Sequence, residues 1–123
     1  MGGMPTIAGK AHGEVVAVDY NTGQVKWRYH DEYPMMAGAV STAGGVVFTG
    51  NQEGFALALD SQTGKELWKF RMGSGVRSQP VVYKIDGKSY VAFGSGNWNT
   101  MSAFSGGPID IPEGGQLFVF TLK

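Results

Sequence analysis

An all-β fold built from a repeated strand unit is predicted by three observations. The segment 54–70, GFALALDSQTGKELWKF, has a near-copy at 13–29, GEVVAVDYNTGQVKWRY. Its anchors move in step: Asp19 to Asp60, Thr22 to Thr63, Gly23 to Gly64 and Trp27 to Trp68, each by 41 residues. The chain also carries 20 glycines in 123 residues, with frequent Val, Phe, Tyr and Trp. That is the balance of strands joined by tight turns. Finally, short apolar runs alternate along the chain with turn-forming Gly, Asp and Asn.

Residues 1–12 are Gly-rich, contain Pro5 and are expected to form a tail. Glu14 to Val18 is predicted as a strand, apolar on both faces after its start, as for a strand between two sheets. Asp19-Tyr-Asn-Thr22-Gly23 turns the chain: Asp accepts backbone N–H bonds and Gly supplies the positive φ. Residues 24–29 alternate and form the return strand. Residues 35–41, MMAGAVS, are small and suit a crowded inner strand. Strands follow at 46–49, 55–59 and 65–71, with the Asp60-to-Gly64 turn between the last two. An inner strand is expected at 78–83, a hairpin at the Asp86-Gly87 step, a partner strand at 89–93 and a last strand at 116–122. Residues 94–115 are polar, Gly- and Pro-rich and predicted as one long loop.

A period in the low forties fits either a helical-pair solenoid or a four-stranded propeller blade, and the β-forming residues select the blade. The chain is thus expected to be a single partial β-propeller over residues 1–123, of roughly two and a quarter antiparallel blades. These are a half blade at 13–29, a full blade at 35–71 and a three-stranded blade at 78–122. Propellers close with about four to eight blades. The expectation is therefore a fragment, a partial gene product or a unit that completes its ring by association.

Ten basic residues balance ten acidic ones, which gives no electrostatic case for nucleic acid or an anionic membrane. With no cysteine there is no thiolate metal site and no Cys nucleophile. No stretch is long enough for a membrane span. The start of the chain lacks a signal-peptide pattern.

Trp27 and Trp68 are expected to dock each blade on the next, each indole burying roughly 150–250 Å². Asp19, Thr22, Asp60 and Thr63 are expected to form turns. The pattern A-x-D-x-x-T-G-x-x-x-W, at residues 17–27 and 58–68, resembles the tryptophan-docking motif of the quinoprotein dehydrogenases. Those are eight-bladed propellers that carry pyrroloquinoline quinone (PQQ). The segments STAGGVVFTG at 41–50, GSGVRSQP at 73–80 and GGQLFVF at 114–120 also resemble PQQ-dependent alcohol and methanol dehydrogenases. The resemblance extends from about Gly13 to the end and places the chain in the C-terminal part of that propeller.

The resemblance implies periplasmic oxidation of alcohols or aldehydes, with PQQ beside Ca²⁺ or a lanthanide. It also implies that the catalytic Asp and the metal-ligating Glu and Asn belong to earlier blades, so no catalytic or metal residue is assigned here. Two positions approach the quinone in methanol dehydrogenases through tryptophan. Alignment puts Met36 at the first and Thr100 at the second, with Trp98 two residues before it. Asn97, Trp98 and Met36 are the candidate cofactor contacts.

Other residues have simpler readings. His12 and His30 stand apart in sequence and suggest no metal site. Asp31-Glu32 is expected to be a solvated turn, and Arg77 a structural ion pair beside the channel. The rival reading is a cofactor-free scaffold module. Either way the expected partners are the remaining blades or other copies of the chain.

Overall fold

The computed structural model describes residues 12–97 and 114–122. They form nine strands in three antiparallel sheets: β1 (Gly13–Val18) with β2 (Val25–Asp31); β3 (Val40–Ser41), β4 (Val46–Gly50), β5 (Phe55–Asp60) and β6 (Glu66–Arg71) in order; then β7 (Val81–Ile85), β8 (Lys88–Asn97) and β9 (Gly114–Leu122). Sheets of two, four and three strands in sequence make a partial propeller. No helix among the described residues is long and apolar enough to cross a membrane.

The repeat is visible in backbone detail. A bulge interrupts the β1–β2 ladder at Ala17/Val18 and the β5–β6 ladder at Ala58/Leu59. After each, an Asp takes over the turn. The Asp60 carboxylate accepts the N–H groups of Gln62 and Thr63 at 2.8 and 2.9 Å. Asp19 does the same for Asn21 and Thr22 at 2.8 and 3.1 Å. Gly23 and Gly64 close the turns at φ of 73° and 74°, where a side chain is strained.

The main core lies between the second and third sheets. Phe48, Ala56, Ala58, Met72, Val76, Val91 and Phe93 are buried there. Alternation along β5 sends Ala56 and Ala58 to this core, and Leu57 and Leu59, also buried, toward the first sheet. Trp68, Phe70, Phe118 and Phe120 extend the core as an aromatic cluster, with Trp68 edge-on to Phe120 at 5.0 Å. The two outward faces of this stack expose apolar side chains: Val16, Val18 and Val25 on the first sheet, beside Glu14, Arg28 and His30, and Val81, Ile85, Leu117 and Val119 on the third.

Several boundaries differ from the expectation. The inner strand predicted at 35–41 is only Val40–Ser41, because Pro34 and Gly38 interrupt it. Of the long loop predicted at 94–115, residues 94–97 and 114–115 are strand: β8 runs on to Asn97 and pairs with β9 from Gly114, with Gly94, Gly96, Gly114 and Gly115 inside this ladder. Residues 98–113 lie outside the described residues. Nor is β1 covered on both faces, since Val16 and Val18 are exposed.

Candidate functional site

Two kinds of contact hold the sheets together, one at each end of the strands. At the Asp-turn end, Trp27 is buried against the next sheet. A Cβ on Gly64 would lie 2.5 Å from Trp27 Cε3, so the indole rests directly on glycine backbone. The indole N–H donates to the Ser61 carbonyl at 2.9 Å. The repeated Trp and the repeated Gly therefore meet across sheets: the glycine of one repeat is the seat for the indole of the repeat before it. Beside this seat the Tyr29 hydroxyl donates to Glu66 Oε2 at 3.2 Å. Burial first, and then the Glu66 charge, push the Tyr29 phenol up to about 12.

Trp68 is seated differently. It is half-buried, packs on Phe120 and Phe70, and borders a groove of about 560 Å³ shared with Val46, Phe48, Leu67 and Thr121. The expected equivalence of the two docking tryptophans holds for position in the repeat but not for surroundings.

At the opposite end a polar seam joins all three sheets. Asp31 and Asn51 are buried. Asn51 Nδ2 donates to Asp31 Oδ2 at 2.9 Å, and Tyr33 N–H donates to Asp31 Oδ1 at 3.0 Å. Asn51 also accepts Phe55 N–H on its side chain at 3.0 Å and Val76 N–H on its carbonyl at 2.9 Å. Val76 then bridges to Ser95 on β8, and Gly96 N–H donates to Gly75 O at 2.8 Å. Asp31 is thus a buried structural acceptor, not the solvated turn residue expected. Gln52, 1% exposed, is next to Asn51, and neither polar atom of its amide has a partner among the described residues.

The cofactor candidates fall around this seam. Met36 is exposed, in the connection between Asp31 and β3. Asn97 closes β8, its backbone paired with Gly114; its side chain and all of Trp98 lie outside the described residues. The structure also brings together His12, Glu14 and His30 on the first sheet, although the two histidines are 18 positions apart. Asp31, Asn51 and Gln52 carry no repeat signature: 41 residues from them stand Met72, Lys10 and Ala11. Only long-range contact reveals them.

Tryptophan-packed sheets joined by a polar end seam make a partial propeller, and comparison with known proteins gives its family. Residues 30–91, about half of the chain, match the PQQ family of glucose/ethanol/alcohol dehydrogenases in its β-propeller domain. The chain belongs to that family. It is 36% identical over 114 residues to quinoprotein alcohol dehydrogenase PedE of Pseudomonas putida, covering 89% of this chain and 18% of that protein. It is 44% identical over 93 residues to the 1-butanol dehydrogenase (quinone) of Thauera butanivorans, covering 72% and 15%. Among solved structures, a europium-containing methanol dehydrogenase superposes with a TM-score of 0.76 at 32% identity, covering 89% of this chain and 23% of that one. The chain thus spans less than a fifth of the length of these curated relatives.

Proposed function

We propose that this chain forms the C-terminal blades of a PQQ-dependent propeller that oxidises alcohols or aldehydes in the periplasm, and that it is inactive by itself. The carrying observation is that both outer faces of a stack whose internal joints are already built expose apolar side chains. Val16, Val18 and Val25 on one side, and Leu117 and Val119 on the other, are what sheets within a longer ring present to their neighbours. The remaining blades of such a ring, or further copies of this chain, are the proposed partners.

When bound, PQQ with Ca²⁺ or a lanthanide supplies the electron-accepting quinone and the Lewis acid. A flat ring edged by oxygens needs apolar contact on its face and amide or cationic donors at its rim. The residues present fit a contribution from one side. Met36 offers an exposed thioether for the ring face. The Gln52 amide, buried with no partner among the described residues, supports polar capacity at this end. Asn97, the last paired position of β8, and Trp98, next in sequence, are the proposed rim contacts. The Asp31–Asn51 seam orients the connection that carries Met36.

The test is to add PQQ with Ca²⁺ or a lanthanide to the isolated chain, and then to the chain mixed with the missing blades. Quinone absorbance and dye-linked ethanol oxidation are followed. Turnover is expected only with the other blades present. Turnover by the chain alone would refute the proposed inactivity. A complemented propeller that binds no quinone would refute the enzymatic reading and favour a scaffold.

A further inference from the structure

Three ligating side chains meet on the outer face of the first sheet. Glu14 on β1 is paired directly with His30 on β2. His12 lies two residues before Glu14, so strand alternation puts it on the same face. The two imidazole centroids are 5.1 Å apart. His12 Nε2 is 3.9 Å from Glu14 Oε1, and one ligand atom from each of the three residues lies within 4.8 Å of the others. The second carboxylate oxygen, Glu14 Oε2, accepts from Arg28 Nη1 at 2.9 Å. Arg28 thereby turns Oε1 toward the histidines, as outer partners of metal-bound carboxylates do.

We propose that His12, Glu14 and His30 bind a divalent transition-metal ion of the zinc class, with water as the fourth ligand. Two imidazoles and a carboxylate are a donor set for such an ion, whereas Ca²⁺ and Mg²⁺ take oxygen ligands. Bond lengths of about 2.0–2.2 Å around zinc require ligand atoms roughly 3.3 Å apart. All three side chains are exposed, so rotamer changes close the gap without moving the ladder. The face involved is opposite the one carrying Trp27, so binding leaves the docking joint intact.

In the second sheet, where another sheet covers this face, the counterparts of the site are the half-buried Phe55 and the exposed Arg71. Glu14 and His30 correspond to Phe55 and Arg71, 41 residues on. Leu57 and Leu59 are buried beneath the first sheet, yet Arg71 on the same face remains exposed. The metal position is therefore at the rim. In the second sheet Lys69 and Arg71 lie over the Phe55 ring instead, so the site is particular to the first sheet.

The test is calorimetric titration of the whole chain with ZnCl₂, with MgCl₂ as the comparison, and far-UV circular dichroism to verify the fold of each variant. One zinc ion per chain is expected, and no magnesium. His12→Ala, His30→Ala and Glu14→Gln should each weaken zinc at least about tenfold. Both histidines of the chain are in the site, so zinc should shift both imidazole spectra in NMR. Absence of zinc binding, or an unchanged affinity in folded His12→Ala or His30→Ala, overturns the proposal.

Discussion

The indole of Trp27 rests on Gly64, with its Cε3 and Cδ2 atoms 2.5 and 2.7 Å from where a Cβ would stand. Gly23 occupies the same turn position one repeat earlier, at nearly the same φ, and no described residue lies within 4 Å of its Cβ direction. The two glycines separate conformational strain from docking. Alanine at either costs roughly 1–2 kcal/mol for the left-handed backbone. Only Gly64→Ala also displaces Trp27, adding about 1–3 kcal/mol. Urea unfolding of both variants checks this, and equal losses would show that the seat does not matter.

Trp27→Ala is expected to cost about 3–5 kcal/mol, the range for removing a large buried aromatic. Trp27→Phe keeps one aromatic ring but loses part of the indole area and the N–H that reaches the Ser61 carbonyl, for a loss of about 1–3 kcal/mol. Trp68→Ala should cost less than Trp27→Ala, because Trp68 is half-buried at the edge of a groove. Thermal unfolding of the three variants ranks them.

Asn51 ties Asp31, Phe55 and Val76 together. Asn51→Ala leaves the buried Asp31 carboxylate with Tyr33 N–H alone and removes the side-chain acceptor of Phe55 N–H, and should cost about 2–4 kcal/mol. Asn51→Asp keeps an acceptor for Phe55 but sets a second carboxylate against Asp31. Its destabilisation should therefore be greater at neutral pH than in acid, which pH-dependent melting measures.

Backbone N–H bonds from Gln62 and Thr63 hold the Asp60 carboxyl below its ordinary value of 3.8, and those from Asn21 and Thr22 do the same for Asp19. Because the folded state lowers both, their stabilisation is full above pH 3.8 and disappears as pH falls through the lowered folded values. The double variant Asp19→Asn, Asp60→Asn should show a flatter loss of melting temperature between pH 4 and 2 than the parent. Identical acid limbs would contradict this.

Tyr29 titrates in the opposite sense. Its phenol is raised from 10.0 to about 12 in the fold, so its neutral form favours folding below pH 10 and the benefit is lost as pH climbs toward 12. Spectrophotometric titration should find one late tyrosine, absent in Tyr29→Phe.

The strand order and the blade joints were legible because the repeat writes them twice. A 41-residue shift relates the bulge, the Asp turn, the Gly and the Trp. What escaped reading has no second copy. Asp31 ends β2, Asn51 and Gln52 lie in a connection, and their burial depends on three sheets converging. The end of β8 was misjudged because Gly94 and Gly96 resemble loop residues, yet they lie inside an antiparallel ladder. His12 and His30 looked isolated because cross-strand pairing, not sequence spacing, brings them together.

The seating of Trp27 gives the stack a direction. The first sheet leans its indole onto the second, and the second leans its own onto the third through Phe120. The donor surface and the acceptor surface differ, so like faces do not complement each other through this contact. Joining through it is heterologous, head to tail, and a two-fold symmetric pair cannot form that way. Gly23, approached by no described residue, marks the receiving end: a sheet added there through the same contact arrives with its aromatic edge leading.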